Sequence, residues 1–145
     1  MIPQFEASGL LPAGIHWSTL EEIEMRYAVN NHRQRLVGGL RRAVLALTTA
    51  GCRTLYLDGS FITSKEFPRD YDACWEAGGV KLRLLDLVFL DFSNTRAAQK
   101  AKFLGEFFPA HLPAAATSPY TTFLKFFQVD KDTGGRKGII GLNLA

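Results

Sequence analysis

The stretch Leu55-Tyr-Leu-Asp-Gly-Ser-Phe-Ile-Thr-Ser-Lys-Glu-Phe-Pro-Arg-Asp-Tyr-Asp-Ala-Cys-Trp75 decides the fold. Residues 53–57 alternate and are rich in strand formers, so they read as a strand. Asp58-Gly59-Ser60 breaks it, 61–69 form a loop or short helix, and 71–75 read as a second strand. Gly59 lets the backbone turn sharply and approach a ligand closely. Ser60 adds a hydroxyl, and the N–H groups of such a turn can hold a phosphate. Asp70 and Asp72 are two positions apart, so on a strand they project to one face. Adjacent carboxylates repel unless a cation lies between them, and hard ions such as Mg²⁺ (or Mn²⁺) bind through carboxylates plus substrate phosphates.

Upstream, 1–16 carries Pro3, Gly9, Pro12 and Gly14 and reads as an extended arm. Its apolar residues Ile2, Phe5, Leu10, Leu11 and Ile15 call for a surface to pack on. Ser18 and Glu21 have the spacing of a capping box, which predicts a short helix over 19–29. A second helix is expected over 31–50, with Leu36, Leu40, Val44 and Leu47 as its buried stripe and Gly51 as its stop. Downstream, the apolar run 80–92 reads as a third and central strand. Ser93 or Asn94 caps a helix over about 95–107. Residues 111–119 read as a loop. Segments 122–129 and 137–144 are strand-like and flank Gly134-Gly135, as in a C-terminal β-hairpin. The expected class is α+β, a mixed sheet with helices packed against it, in a single domain over 1–145.

Composition fits that class. The chain has 145 residues, 47% hydrophobic and 21% charged, which suits one globular core rather than a disordered segment. Its apolar runs are too short to span a bilayer, and no basic leader precedes them, so a cytoplasmic protein with no membrane contact is expected. Cys52 and Cys74 lie apart, without the paired spacing of a zinc site, and read as buried thiols. The formal charge of +3 permits nucleotides or nucleic acid as partners without arguing for them. Arg33, Arg35, Arg41 and Arg42 fall on one expected helix and Arg96, Lys100 and Lys102 on another. Each set taken alone reads as a solvated helix face. His16, His32 and His111 share no spacing, and no nucleophile-elbow motif supports Ser-His-Asp chemistry.

Gly59-Ser60 followed by Asp70-x-Asp72, with apolar strands on each side, resembles the DNA polymerase β-type nucleotidyltransferase superfamily. The resemblance implies a nucleotidyltransferase-like fold. Gly59 and Ser60 would then hold a nucleoside triphosphate, and Asp70 and Asp72 would bind catalytic metal. A third carboxylate is expected on a neighbouring strand. Asp86, in Leu85-Asp-Leu-Val88, is the leading candidate. Asp91 is the alternative, and strand parity puts it on the opposite face. Lys65 and Arg69 would contact the β- and γ-phosphates. Asp58 departs from the pattern, since that position is more often apolar in the family. The blocks Ile2-Pro-Gln-Phe5, Leu11-Pro-Ala-Gly14, 58–65, Leu90-Asp-Phe-Ser93 and Lys137-Gly-Ile-Ile140 also resemble a poorly characterised family of small bacterial and phage proteins with nucleotidyltransferase-like cores.

Two functions follow from the resemblance. One is a Mg-dependent nucleotidyltransferase that moves a nucleoside monophosphate from an NTP to an RNA, protein or small-molecule acceptor. The other is a catalytically weak or inactive binding subunit of a toxin–antitoxin or phage-related module. In that reading the N-terminal arm and the phenylalanine-rich C-terminal part dock a partner protein or a second copy. A nucleic-acid-binding module without catalysis is a third and weaker reading.

Overall fold

The computed structural model describes residues 1–115 and 121–145. Along α2 (Asn31–Thr49) the helical repeat sets the buried face: Leu36, Leu40 and Leu47 are each exposed by 1% or less. Ala43 is fully buried in this row, while Val44 is partly covered. Asn30 caps the helix by accepting the Arg33 N–H at 2.8 Å. The shorter α1 (Leu20–Tyr27) is capped by Thr19, one residue after the Ser18 expected from sequence; its hydroxyl accepts the Glu22 N–H at 3.1 Å.

Five strands form one mixed sheet: β1 (Gly14–Ser18), β2 (Thr54–Asp58), β3 (Tyr71–Trp75), β4 (Gly105–Pro109) and β5 (Gly138–Asn143). Their spatial order is β1-β5-β2-β3-β4. The central β2 runs antiparallel to both β5 and β3, whereas β1 with β5 and β3 with β4 are parallel. The expected α+β class, with helices against a mixed sheet, is what the chain adopts. Of the expected N-terminal arm, 14–16 belong to edge strand β1, and Ile2 and Leu11 are buried in the core.

Alternation along the strands separates two cores. Leu55, Leu57, Tyr71, Ala73, Phe107, Ile140 and Leu142 face the main core with α1, α2 and the helix after residue 93. Tyr56, Cys74 and Ile139 face the other side, where Phe127 and Ala110 join them. Cys52 and Cys74 are free and buried, as expected.

Three expectations change. Residues 80–92 are not a strand but two short 3₁₀ turns, Leu82–Leu84 and Leu87–Leu90. Only Leu85 and Phe89 are buried, at a spacing of one helical turn, and Asp86 accepts the Val88 N–H at 3.0 Å, a local bond that competes with a ladder. The place beside β3 belongs to β4. The helix expected over 95–107 is shorter: α3 (Ser93–Phe103) ends where Leu104 takes a left-handed conformation, and its first turn at Asn94, Thr95 and Arg96 also has positive φ. Residues 105–107 pass into β4.

The C-terminal β-hairpin is the third correction. Residues 123–127 form α4 (Phe123–Phe127), capped by Thr122, which turns Phe127 onto the second core. Strand β5 inserts between β1 and β2 instead of pairing back on 122–129, and the turn before it is closed by the bridge Val129–Arg136 and by backbone bonds such as Lys137 N–H to Gln128 O. Of the loop expected over 111–119, residues 116–119 lie outside the described residues.

Candidate metal and phosphate site

Register places three carboxylates in one row across the sheet. Asp58 at the end of β2 is directly opposite Asp72 of β3, and Asp72 is level with Glu106 of β4. Residues paired in register point to the same face. That face is the one carrying Tyr56, Cys74 and Phe108, each two residues from a member of the row. Asp70, just ahead of β3, joins them. Asp70, Asp72 and Glu106 each offer a carboxylate oxygen, and the three oxygens lie within 4.8 Å of one another. All three residues are partly exposed, so a cation can reach them.

Asp70 and Asp72, paired in the sequence, lie together, and the carboxylate that the fold brings beside them is that of Glu106. Asp86 sits in the turn outside the sheet, ion-paired with Lys102. Asp91 caps the next turn by accepting from Ser93. Neither approaches the cluster. Glu106 escaped the sequence reading because its segment continues the apolar spacing of α3. The available signal was Gly105, a helix stop. Gly105 is required because a Cβ there would lie 2.5 Å from the Tyr71 ring.

Burial and mutual repulsion set the protonation of the row. Burial raises the Asp72 carboxyl to about 7, assisted by its contact with Glu106 and by the charges of Asp58 and Asp70. Burial also raises Asp70, and Glu106 adds to that, while Lys100, Arg69 and Arg96 oppose it. Burial pushes Glu106 up too, but it ends below its usual range, because Arg96 donates to Oε1 at 2.6 Å and Asp72 shares its proton. Three hard oxygen donors around one point, one of them reluctant to ionise alone, fit a small divalent cation.

Asp58 does not join the cluster. Its Oδ1 is 2.8 Å from the Lys137 ammonium, at the start of β5, and both side chains are mostly covered. Burial raises its carboxyl, and Lys137 opposes that shift. The departure noted at this position is thus compensated by a lysine distant in sequence.

Gly59 and Ser60 lie beside the cluster. Gly59 has φ 92° and ψ −177°, a conformation essentially confined to glycine, and a Cβ would lie 3.1 Å from Asp72 Oδ2. Ser60 opens a single 3₁₀ turn, Ser60–Ile62. The following loop is fixed by Arg33, a residue that the sequence assigned to a solvated face. Arg33 is 3% exposed and donates to the carbonyls of Phe61 at 2.7 Å and Thr63 at 3.0 Å, and to that of Lys65. Tyr27 donates to Ile62 O at 3.0 Å. The turn and the cluster open into one cavity of about 610 Å³, which Lys65, Lys131 and Lys137 also line. Phe126 and Val129 form its apolar wall. Arg69 does not line this cavity. It lies in a separate notch on the other side of Asp70.

Among the described residues, no helix is long and apolar enough to cross a membrane. Residues 3–143 match a family of unknown function, DUF6932, and the chain belongs to that family. Neither the curated proteins nor the solved structures contain a match.

Proposed function

We propose that this member of the DUF6932 family is a Mg²⁺- or Mn²⁺-dependent nucleotidyltransferase, in which an acceptor hydroxyl attacks the α-phosphate of an NTP, takes the nucleoside monophosphate and releases pyrophosphate. One observation carries the reading: Asp70, Asp72 and Glu106 converge beside the Gly59-Ser60 turn in one cavity. In this reading the third carboxylate, expected on a neighbouring strand, is Glu106 on β4.

In this reading Asp70, Asp72 and Glu106 hold the metal. A bound divalent ion would supply charge neutralisation at the phosphoryl oxygens and a lowered pKa for the attacking hydroxyl. The Gly59 turn brings backbone close to the phosphates, and Ser60 offers them a hydroxyl. Lys65 and Lys131 line the cavity and compensate phosphate charge. Lys137 neutralises Asp58, so the extra carboxylate beside the turn does not repel the triphosphate. The apolar wall of Phe126 and Val129 suits a base or sugar.

The test is calorimetric titration with each Mn–NTP, followed by transfer of label from α-³²P NTPs to the protein, to RNA and to small hydroxyl compounds. Metal-dependent transfer, lost in Asp72→Asn, is the expected result. Nucleotide binding without transfer would shift the reading to a binding subunit. Absence of both would rule out a nucleotide site.

A further inference from the structure

The cavity is not the only approach to Asp70. A second notch of about 120 Å³ reaches it, lined by Arg35, Arg69, Lys100 and Leu104. The two hollows share only Asp70 among their lining residues. Three elements supply the notch: α2 gives Arg35, the loop before β3 gives Arg69, and α3 gives Lys100. Sequence alone separates these cations, and packing of α2 on α3 merges two cationic faces into one surface.

Several of the cations in the two clusters serve other purposes. Arg33 is buried under the loop, Arg41 is paired with Glu24 on α1, and Lys102 is paired with Asp86. Arg96 holds Glu106. Among the described residues, Arg35 and Arg69 make no ion pair and no side-chain hydrogen bond, and both are exposed. Lys100 reaches Glu106 only at 3.7 Å. Two turns beyond Arg35 on the same face of α2, Arg42 lies against the end of α3, donating to the Lys102 carbonyl at 3.1 Å. Arg42 thus adds one further cation beyond the notch, beside the α2–α3 seam. An isolated anion would need only the notch, whereas cations spread over α2, α3 and the loop before β3, with Arg42 two turns further on, suit a chain of anions.

We propose that Arg35, Arg69 and Lys100 bind the phosphodiester backbone of a single-stranded nucleic acid, delivering its terminal hydroxyl to the Asp70 side of the carboxylate cluster. The proposal rests on the nucleotidyltransferase reading for its purpose, but the groove can be tested apart from it. Small net charge is no objection, because affinity for a strand follows the local cations that displace counterions.

The test is fluorescence anisotropy of a short fluorescein-labelled oligouridylate across a salt series. Three phosphate contacts predict a log–log salt slope of about −2. Arg35→Ala with Arg69→Ala should weaken binding roughly tenfold or more and bring the slope to about −0.7, the value for one remaining contact. Arg35→Lys with Arg69→Lys should retain most of the affinity. Arg41→Ala, a cation on α2 already held by Glu24, should change nothing. Equal loss in Arg41→Ala would mean diffuse charge attraction and overturn the proposal. So would unchanged affinity in the double alanine variant, or displacement of the oligomer by inorganic phosphate or UMP at equal phosphate concentration. Mn–UTP calorimetry separates the two readings. Oligomer binding through the groove with no nucleotide binding would fail the nucleotidyltransferase reading alone, and the reverse result would fail the groove alone.

Discussion

Glu106 stands level with Asp72 in the parallel register of β3 and β4, and the two side chains leave the same face of the sheet. Burial and this contact raise Asp72, while Arg96 keeps Glu106 ionised. A pair so arranged shares one proton between its carboxyl groups. Asp70 adds the third oxygen from the loop, so the cluster draws on two neighbouring strands and the segment that joins β2 to β3.

Removal of either member of that pair should weaken the proposed metal site. Asp72→Asn and Glu106→Gln are expected to lower Mn²⁺ affinity at least tenfold in calorimetry, in line with loss of one of three charged ligands. Asp86→Asn should leave it within about twofold, costing at most about 1 kcal/mol of stability through its exposed pairing with Lys102. Loss of metal in Asp86→Asn with retention in Glu106→Gln would restore the assignment suggested by sequence.

Stability of the metal-free protein should fall as pH rises from 5 to 7. The Asp72 carboxyl titrates near 7 in the folded chain and near 3.8 when unfolded, so within that window the folded state holds more protons. Stability then decreases with pH. The lowered Glu106 acts in the opposite direction but below its ordinary value of 4.5, outside this window. Thermal melts in EDTA should show a loss on the order of 2 kcal/mol. Added Mn²⁺ should raise the melting temperature more at pH 8 than at pH 5, because its ligands must be deprotonated. A flat pH profile in EDTA would contradict the coupling.

Gly59→Ala should destabilise by about 1–3 kcal/mol, the cost of a side chain in a glycine-only backbone region. The new Cβ would also press on Asp72 Oδ2 at 3.1 Å. Urea denaturation measures the first effect. A reduced Mn²⁺ affinity in the variant that remains folded measures the second.

Lys137→Met should cost about 3 kcal/mol at neutral pH by leaving Asp58 buried and unpaired. The loss should shrink in acid, where Asp58 takes up a proton, since burial already raises it. Adding Asp58→Asn to Lys137→Met should recover most of the stability. A double variant no more stable than the single one would show that the pair does not act as a unit.

Arg33→Met should loosen the loop after Ser60. It removes a buried donor from the carbonyls of Phe61, Thr63 and Lys65, at about 3 kcal/mol or more. Hydrogen exchange should accelerate over 61–68 more than over α2 itself. Uniform acceleration would point to global destabilisation alone.

Local patterns in the sequence determined the α+β class, the course of α2, the extent of β3 from Tyr71 to Trp75, the Gly59-Ser60 turn and the pairing of Asp70 with Asp72. Each depends on spacing within one element, where side-chain period or backbone freedom acts over a few residues. Tertiary structure alone decided the rest. Glu106 lies beside Asp70 and Asp72 because β4, rather than 80–92, takes the place next to β3. Asp58 is compensated because β5 leaves the expected hairpin and brings Lys137 alongside it. Arg33 is buried, and Arg35 and Lys100 line one notch, because α2 packs on the loop and on α3. These outcomes depend on which segments compete for one sheet edge and one core face, and that competition is settled by packing and register across the whole chain.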